Sequence, residues 1–161
     1  MGEIKAPEPI NKSHDIGEFN CGINSLDHWL KARALKNEKN NASRSYVVTH
    51  NEIVVGYYSL ATGSIESSEV PGRIKRNMPS PIPIMILGRL AVDIKYQDKK
   101  LGKGLLKDAV LKTIFISEQV GLKGLLVHAL NDNARYFYKA HGFIEMPHNP
   151  LKLILPIANK T

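Results

Sequence analysis

The chain has 161 residues, enough to bury a full core without metal or disulfide staples, and its 43% hydrophobic share excludes general disorder. Lysine and arginine number 22 against 15 aspartates and glutamates, and the formal charge of +7 favours polyanionic partners such as nucleic acid or an acidic protein. The single cysteine, Cys21, excludes an internal disulfide framework and a cysteine-based zinc cluster, and fits a reducing cytoplasm.

Met1 to Pro9 is polar with two prolines, and no apolar stretch approaches the ~20 residues of a membrane helix, so neither a signal peptide nor a span is expected. Asn24 followed by Asp27 resembles a helix start, and Leu26, Trp29, Leu30 and Ala34 recur at helical spacing, predicting a helix from about Ser25 to Asn37. Leu35 falls opposite that stripe, as either a dimer or partner surface or an idle position. Lys31, Arg33, Lys36, Lys39 and Arg44 stand against Glu38 alone and make this stretch basic. Tyr46 to Val48 and Ile53 to Leu60, joined through His50-Asn51-Glu52, predict a hairpin. Gly63 to Pro83, with four prolines and the basic cluster Arg73, Lys75 and Arg76, reads as mostly loop with a short helical turn. A loop of that length tends to carry function, and its basic triplet suits a phosphate backbone; a solvated loop is the alternative.

Ile84 to Asp93 predicts a central strand, followed by a lysine-rich turn. Leu105, Leu106, Ala109, Val110, Ile114 and Val120 give a helix that Gly121 would end. Leu125 to Leu130 reads as a short buried strand, Asn131 as the cap of a helix through Ala140, and Gly142 as its stop. Phe143 to Glu145 and Leu151 to Leu155 read as the last strands. This order indicates an α/β or α+β sheet domain, and the whole chain, residues 1–161, is expected to be one domain.

The sharpest local feature is a buried strand, then Lys99-Lys100-Leu101-Gly102-Lys103-Gly104, then a long helix. Glycines let the backbone approach an anion, and the unpaired N–H groups at a helix start favour phosphate. The Walker pattern fails at Gly104, where Ser or Thr is required, and the Rossmann fingerprint fails at Lys107. A second pattern follows: Asn131, Ala134, Tyr138, Gly142 and Phe143. The two together resemble the GCN5-related N-acetyltransferase (GNAT) family. Its turn usually reads Gln/Arg-x-x-Gly-x-Gly/Ala, and Lys99 here keeps the positive charge of the first position.

A narrower resemblance runs through Phe19-Asn20-Cys21-Gly22, Leu26 to Leu30, Gly56 to Leu60, Arg76 to Pro79 and Leu87 to Asp93. These segments look like the acetyltransferase toxins of bacterial type II toxin/antitoxin modules, which acetylate the α-amine of aminoacyl-tRNA and block translation. The resemblance implies a mixed, mostly antiparallel sheet whose splayed strands hold acetyl-CoA as cosubstrate, with no metal. It implies pantetheine pairing with the backbone of Leu90, Ala91 and Val92, and pyrophosphate on Lys99, Lys100, Leu101, Gly102, Lys103 and Gly104. Asn131 would hydrogen-bond the coenzyme, and Tyr138 would give a proton to the departing CoA thiolate. Val92 N–H is then an oxyanion donor.

Aminoacyl-tRNA and a ribbon-helix-helix antitoxin are the implied partners, with a homodimer as a further possibility. Lys31, Lys36, Arg73, Arg76 and Arg89 are the candidate tRNA contacts, and Arg89 paired to a carboxylate is the competing reading for that residue. No acidic residue presents itself as a base; an α-amine, titrating near 8, needs less help than a lysine amine. His128 reads as a core residue, His141 as a helix-end residue, and Cys21 as an unpartnered thiol rather than a nucleophile. An acetyltransferase for protein N-termini or small amines, and a non-catalytic basic RNA-binding module, are the alternatives.

Overall fold

Side chains buried on both faces make residues 44–65 a long hairpin. β1 (Glu8–Pro9) lies along β2 (Arg44–His50), which pairs antiparallel with β3 (Ile53–Ile65), His50 opposite Ile53 and Arg44 opposite Leu60. Asn51 and Glu52 form the turn with φ of 54° and 67°, a geometry whose twist matches that of the strands. The structure, a computed structural model, describes residues 4–158, so Met1 to Glu3 of the polar start lie outside the described residues.

The remaining elements are α1 (Asn24–Ala32), α2 (Ala34–Lys39), α3 (Gly72–Lys75), β4 (Ile82–Val92), α4 (Leu101–Ser117), β5 (Gly124–His128), α5 (Asp132–Ala140), β6 (Ile144–Met146) and β7 (Asn149–Pro156). The sheet runs β1-β2-β3-β4-β5-β7-β6. β4 and β5 are parallel, while β5–β7 and β6–β7 are antiparallel like the first hairpin, so the mixed α+β reading holds. The chain forms two compact units, residues to 61 with 88–109, and residues 62–87 with 110 onward.

In the first unit the core is Phe19, Trp29, Leu30, Ala34, Val47, Val54, Tyr57 and Ala91, joined by Ile10 and Cys21. The Trp29 and Tyr57 rings stack 6.0 Å apart and 5° from parallel, and Phe19 meets Tyr57 edge-on at 5.6 Å. The Tyr57 hydroxyl donates to the Leu26 carbonyl at 2.7 Å, which pins α1 to the hairpin. The predicted first helix is in fact two, broken at Arg33 with φ −122°. Past the break Leu35 packs against the core and is partly buried.

In the second unit Ile65, Val70, Ile74, Ile82, Ile84, Leu126, Met146 and Ile154 form the core. Those first three residues order the stretch expected to be mostly loop. β3 continues to Ile65, a 3-10 turn spans Ser67–Glu69, and α3 follows. A Cβ on Gly124 would lie 2.7 Å from the Leu155 carbonyl oxygen and 3.1 Å from the Ile154 side chain. Gly124→Ala is therefore expected to destabilise the fold by about 1–3 kcal/mol. A lower urea midpoint at unchanged slope checks this; an unchanged midpoint would show that β7 shifts freely.

Candidate active site

β4 and β5 are in register only from Met85–Leu125 to Leu87–Val127. β4 continues to Val92, with Leu90 half-buried and Ala91 and Val92 buried. A Cβ at Gly88 would stand 3.0 Å from Ser59 Oγ, a tight contact that the serine would have to turn away from.

The end of β4 is held by a polar frame. Asp93 is buried; its carboxylate accepts the Lys95 N–H at 2.9 Å and the Asn20 N–H at 3.1 Å. Its own N–H donates to the Val55 carbonyl at 2.8 Å, and the Ile94 N–H donates to the Asn20 carbonyl at 2.9 Å. The Gln97 amide donates to the carbonyls of Val92 and Cys21, each at 3.0 Å. The Phe19-Asn20-Cys21-Gly22 loop is thereby laced to the strand end. Sequence reasoning noticed Asp93 only as the strand's last residue and missed Gln97. An Asp followed two residues on by a free N–H is the Asx-turn signal that marks the first of them.

The expected turn from Lys99 is more ordered than a turn. A 3-10 helix spans Ile94–Lys99, Lys100 sits in the left-handed region at φ 60°, and α4 begins at Leu101. The N–H groups of Leu101, Gly102 and Lys103 have no acceptor within the helix, whereas Gly104 N–H bonds back to Lys100 at 3.2 Å. Nothing lies within 4 Å of where a Gly104 Cβ would stand, and Lys99, Lys100 and Lys103 are exposed around this opening. Helix-start N–H groups, open space over a glycine and three lysines fit a pyrophosphate.

In the second unit, the Asn131 side-chain oxygen caps α5 by accepting the Ala134 N–H at 2.9 Å, with its amide nitrogen available to a ligand. Gly142 ends α5 at φ 93°, the Phe143 N–H donates to the Tyr138 carbonyl at 3.1 Å, and His141 Nδ1 meets the Phe137 carbonyl at 2.8 Å. Lys139 and Arg135 both bridge to Glu145, at 3.0 and 3.3 Å. The Lys139 hydrogen bond, with the two positive charges, holds the Glu145 carboxyl below its usual range. The motif residues thus start, stop and brace one short helix, and that helix carries Tyr138.

Tyr138 is 6% exposed, between Phe137 and Phe143 with ring centroids 5.3 Å away on each side. Its hydroxyl makes no hydrogen bond among the described residues. Burial pushes the phenol above its ordinary value, so it keeps its proton across the physiological range and well above it.

His128 is exposed at the end of β5, not a core residue as its apolar neighbours suggested, because burial on this strand stops at Val127. Cys21 is buried, and burial with the nearby Asp27 pushes its thiol up to about 11, which disfavours a nucleophilic thiolate. Lys31 and Lys36 are exposed on α1 and α2, and Arg73 and Arg76 at α3. Arg89 pairs with no carboxylate among the described residues and lies instead 4.3 Å over the Trp29 ring.

Residues 41–145 match the Acetyltransferase (GNAT) domain. The chain is 43% identical over 155 residues to a tRNA-acetylating toxin of Mycobacterium tuberculosis, covering 96% of this chain and 93% of that protein. Among solved structures it resembles AtaT complexed with acetyl-methionyl-tRNAfMet, with TM-score 0.88, 31% identity and coverage of 96% and 95% of the two chains. It also resembles a tyrosine-to-phenylalanine form of the AtaT toxin bound to the C-terminus of the antitoxin AtaR and acetyl-CoA, with TM-score 0.81, 30% identity and coverage of 94% and 92%. The matched stretch contains β4, the glycine-bearing start of α4 and the tyrosine helix, and the chain belongs to the GNAT acetyltransferase family.

Proposed function

We infer that the protein is a toxin that transfers acetyl from acetyl-CoA to the α-amine of aminoacyl-tRNA and so blocks translation. The observation that carries this reading is the 43% identity, over nearly the whole chain, to a tRNA-acetylating toxin. The likeness to AtaT with acetyl-methionyl-tRNAfMet supports the same acceptor.

The residues divide the work as follows. The coenzyme phosphates are held by the N–H groups and lysines from Lys99 to Gly104, and the pantetheine arm by the backbone of Leu90, Ala91 and Val92. The Asp93 and Gln97 frame keeps that strand end in place, so the Val92 N–H meets the thioester oxygen as it gains charge. The Asn131 amide nitrogen adds a contact to the coenzyme. Tyr138 gives its proton to the thiolate that leaves, and the proton shed by the newly acetylated nitrogen restores the phenol. The incoming α-amine titrates near 8 and is partly neutral at physiological pH, so no side chain need deprotonate it.

Lys31, Lys36, Arg73, Arg76 and Arg89 serve the tRNA, with the exposed four on its phosphates. Affinity for charged tRNA is then expected to fall steeply with salt, and Arg73→Ala with Arg76→Ala to flatten the slope by up to about 2. The same double variant should raise KM for charged tRNA more than for acetyl-CoA. Acetylation that ignores salt would point to a small amine instead, and an unchanged slope in the variant would take α3 out of the tRNA surface.

A ribbon-helix-helix antitoxin completes the reading, its tail folding over the toxin's basic surface; the AtaT complex with the C-terminus of AtaR supports a contact of this kind. The site of action is the cytoplasm, where charged tRNA is; no helix among the described residues is long and apolar enough to cross a membrane. Association of two copies belongs to the reading as well, supported by the exposed Leu111, Ile114 and Phe115 on α4.

A further inference from the structure

Side chains alternate along a strand, so Arg89 and Ala91 share one face of β4. Ala91 packs in the cluster that contains Trp29, and the Arg89 guanidinium lies 4.3 Å over the Trp29 ring. Trp29 is itself buried and stacked on Tyr57, which makes a rigid seat. Arg89 is half-buried, yet no carboxylate reaches it among the described residues. Burial lowers its pKa. A cation over a ring recovers only part of the lost hydration, and a guanidinium has five N–H donors in a planar fork suited to an oxyanion. The fold therefore holds a positioned, partly desolvated cation whose anion comes from outside the chain.

Its place on the strand says which anion. The coenzyme phosphates belong to the Lys99 to Gly104 segment, beyond the C-terminal end of β4. Arg89 lies in the other direction, three residues and about 10 Å back from Val92 along the strand. An anion there arrives with the acceptor. In charged tRNA the α-amine is joined to the last phosphodiester through only the ester and the terminal ribose, so holding that phosphate restricts where the amine can go.

We propose that Arg89, seated on Trp29, binds the last phosphodiester of the charged tRNA acceptor end and thereby sets the α-amine at the thioester. The proposal rests on the tRNA-acetylating reading and adds to it the group that is recognised.

Two acceptors test it: an aminoacyl-adenosine with no phosphate, and an aminoacyl-cytidylyl-adenosine carrying that one phosphodiester. The wild-type protein is expected to prefer the second by about 10- to 100-fold in kcat/KM, the scale of a charged hydrogen bond. Arg89→Gln should abolish the preference at unchanged KM for acetyl-CoA, which also verifies folding, and Arg89→Lys should keep part of it. A preference that survives in Arg89→Gln overturns the proposal, as does its absence in the wild type, a result that stands even if the variant does not fold. A rise in KM for acetyl-CoA in place of the acceptor effect would give Arg89 to the coenzyme and also overturn it. Failure of the wild type to acetylate either acceptor or charged tRNA would remove the underlying reading.

Discussion

Replacing Tyr138 with phenylalanine is expected to lower turnover by ~10² or more while the fold and acetyl-CoA binding persist. The ring stays in its seat between Phe137 and Phe143, and only the hydroxyl is lost. No hydrogen bond among the described residues goes with it, so the substitution leaves no orphaned partner and stability should hardly change. Because burial raises the phenol, the wild type should show no loss of activity from Tyr138 ionisation as pH rises from 7 to about 10. Single-turnover rates at saturating acetyl-CoA check this. Turnover near that of the wild type would exclude the hydroxyl from the chemistry and leave Tyr138 as packing alone.

Gly104→Asp should separate stability from coenzyme binding by moving them in opposite directions. Position 104 faces open space in the first turn of α4, where an acidic side chain is favoured by the helix dipole and glycine is a poor helix former. Thermal stability is therefore expected to be unchanged or raised by up to about 1 kcal/mol. A carboxylate there opposes the pyrophosphate: like charges 4 Å apart interact by about 4 kcal/mol at an effective dielectric of 20. Even half of that, after solvent screening, weakens acetyl-CoA by tens of fold. Gly104→Ala, an exchange that the family pattern accepts, should bind almost as the wild type does, so the pair distinguishes charge from bulk. Calorimetric titration with acetyl-CoA decides it, and equal affinity for the two variants would place the pyrophosphate elsewhere.

What the sequence disclosed is what local backbone chemistry controls. Asn131 caps, Gly142 takes a positive φ and Phe143 turns back onto Tyr138, so that motif was legible residue by residue. Asn51 and Glu52 made the hairpin equally plain. The break at Arg33 was not legible, since no proline or glycine marks it and burial of Ala34 and Leu35 decides it. β1 has two residues and exists only through its pairing with β2. The frame at the end of β4 was hidden for the same reason: Asp93 reaches Asn20 across 73 positions and Gln97 reaches Cys21 across 76, separations over which sequence patterns say nothing. Arg89 was readable as a cation, but its place over Trp29 was not.

The central claim is tested most directly by incubating the protein with labelled acetyl-CoA and total charged tRNA, then hydrolysing the aminoacyl ester and identifying what carries the label. The account predicts labelled N-acetyl amino acid released from tRNA, with uncharged tRNA left unlabelled. Label on proteins or polyamines, with none on charged tRNA, would contradict it.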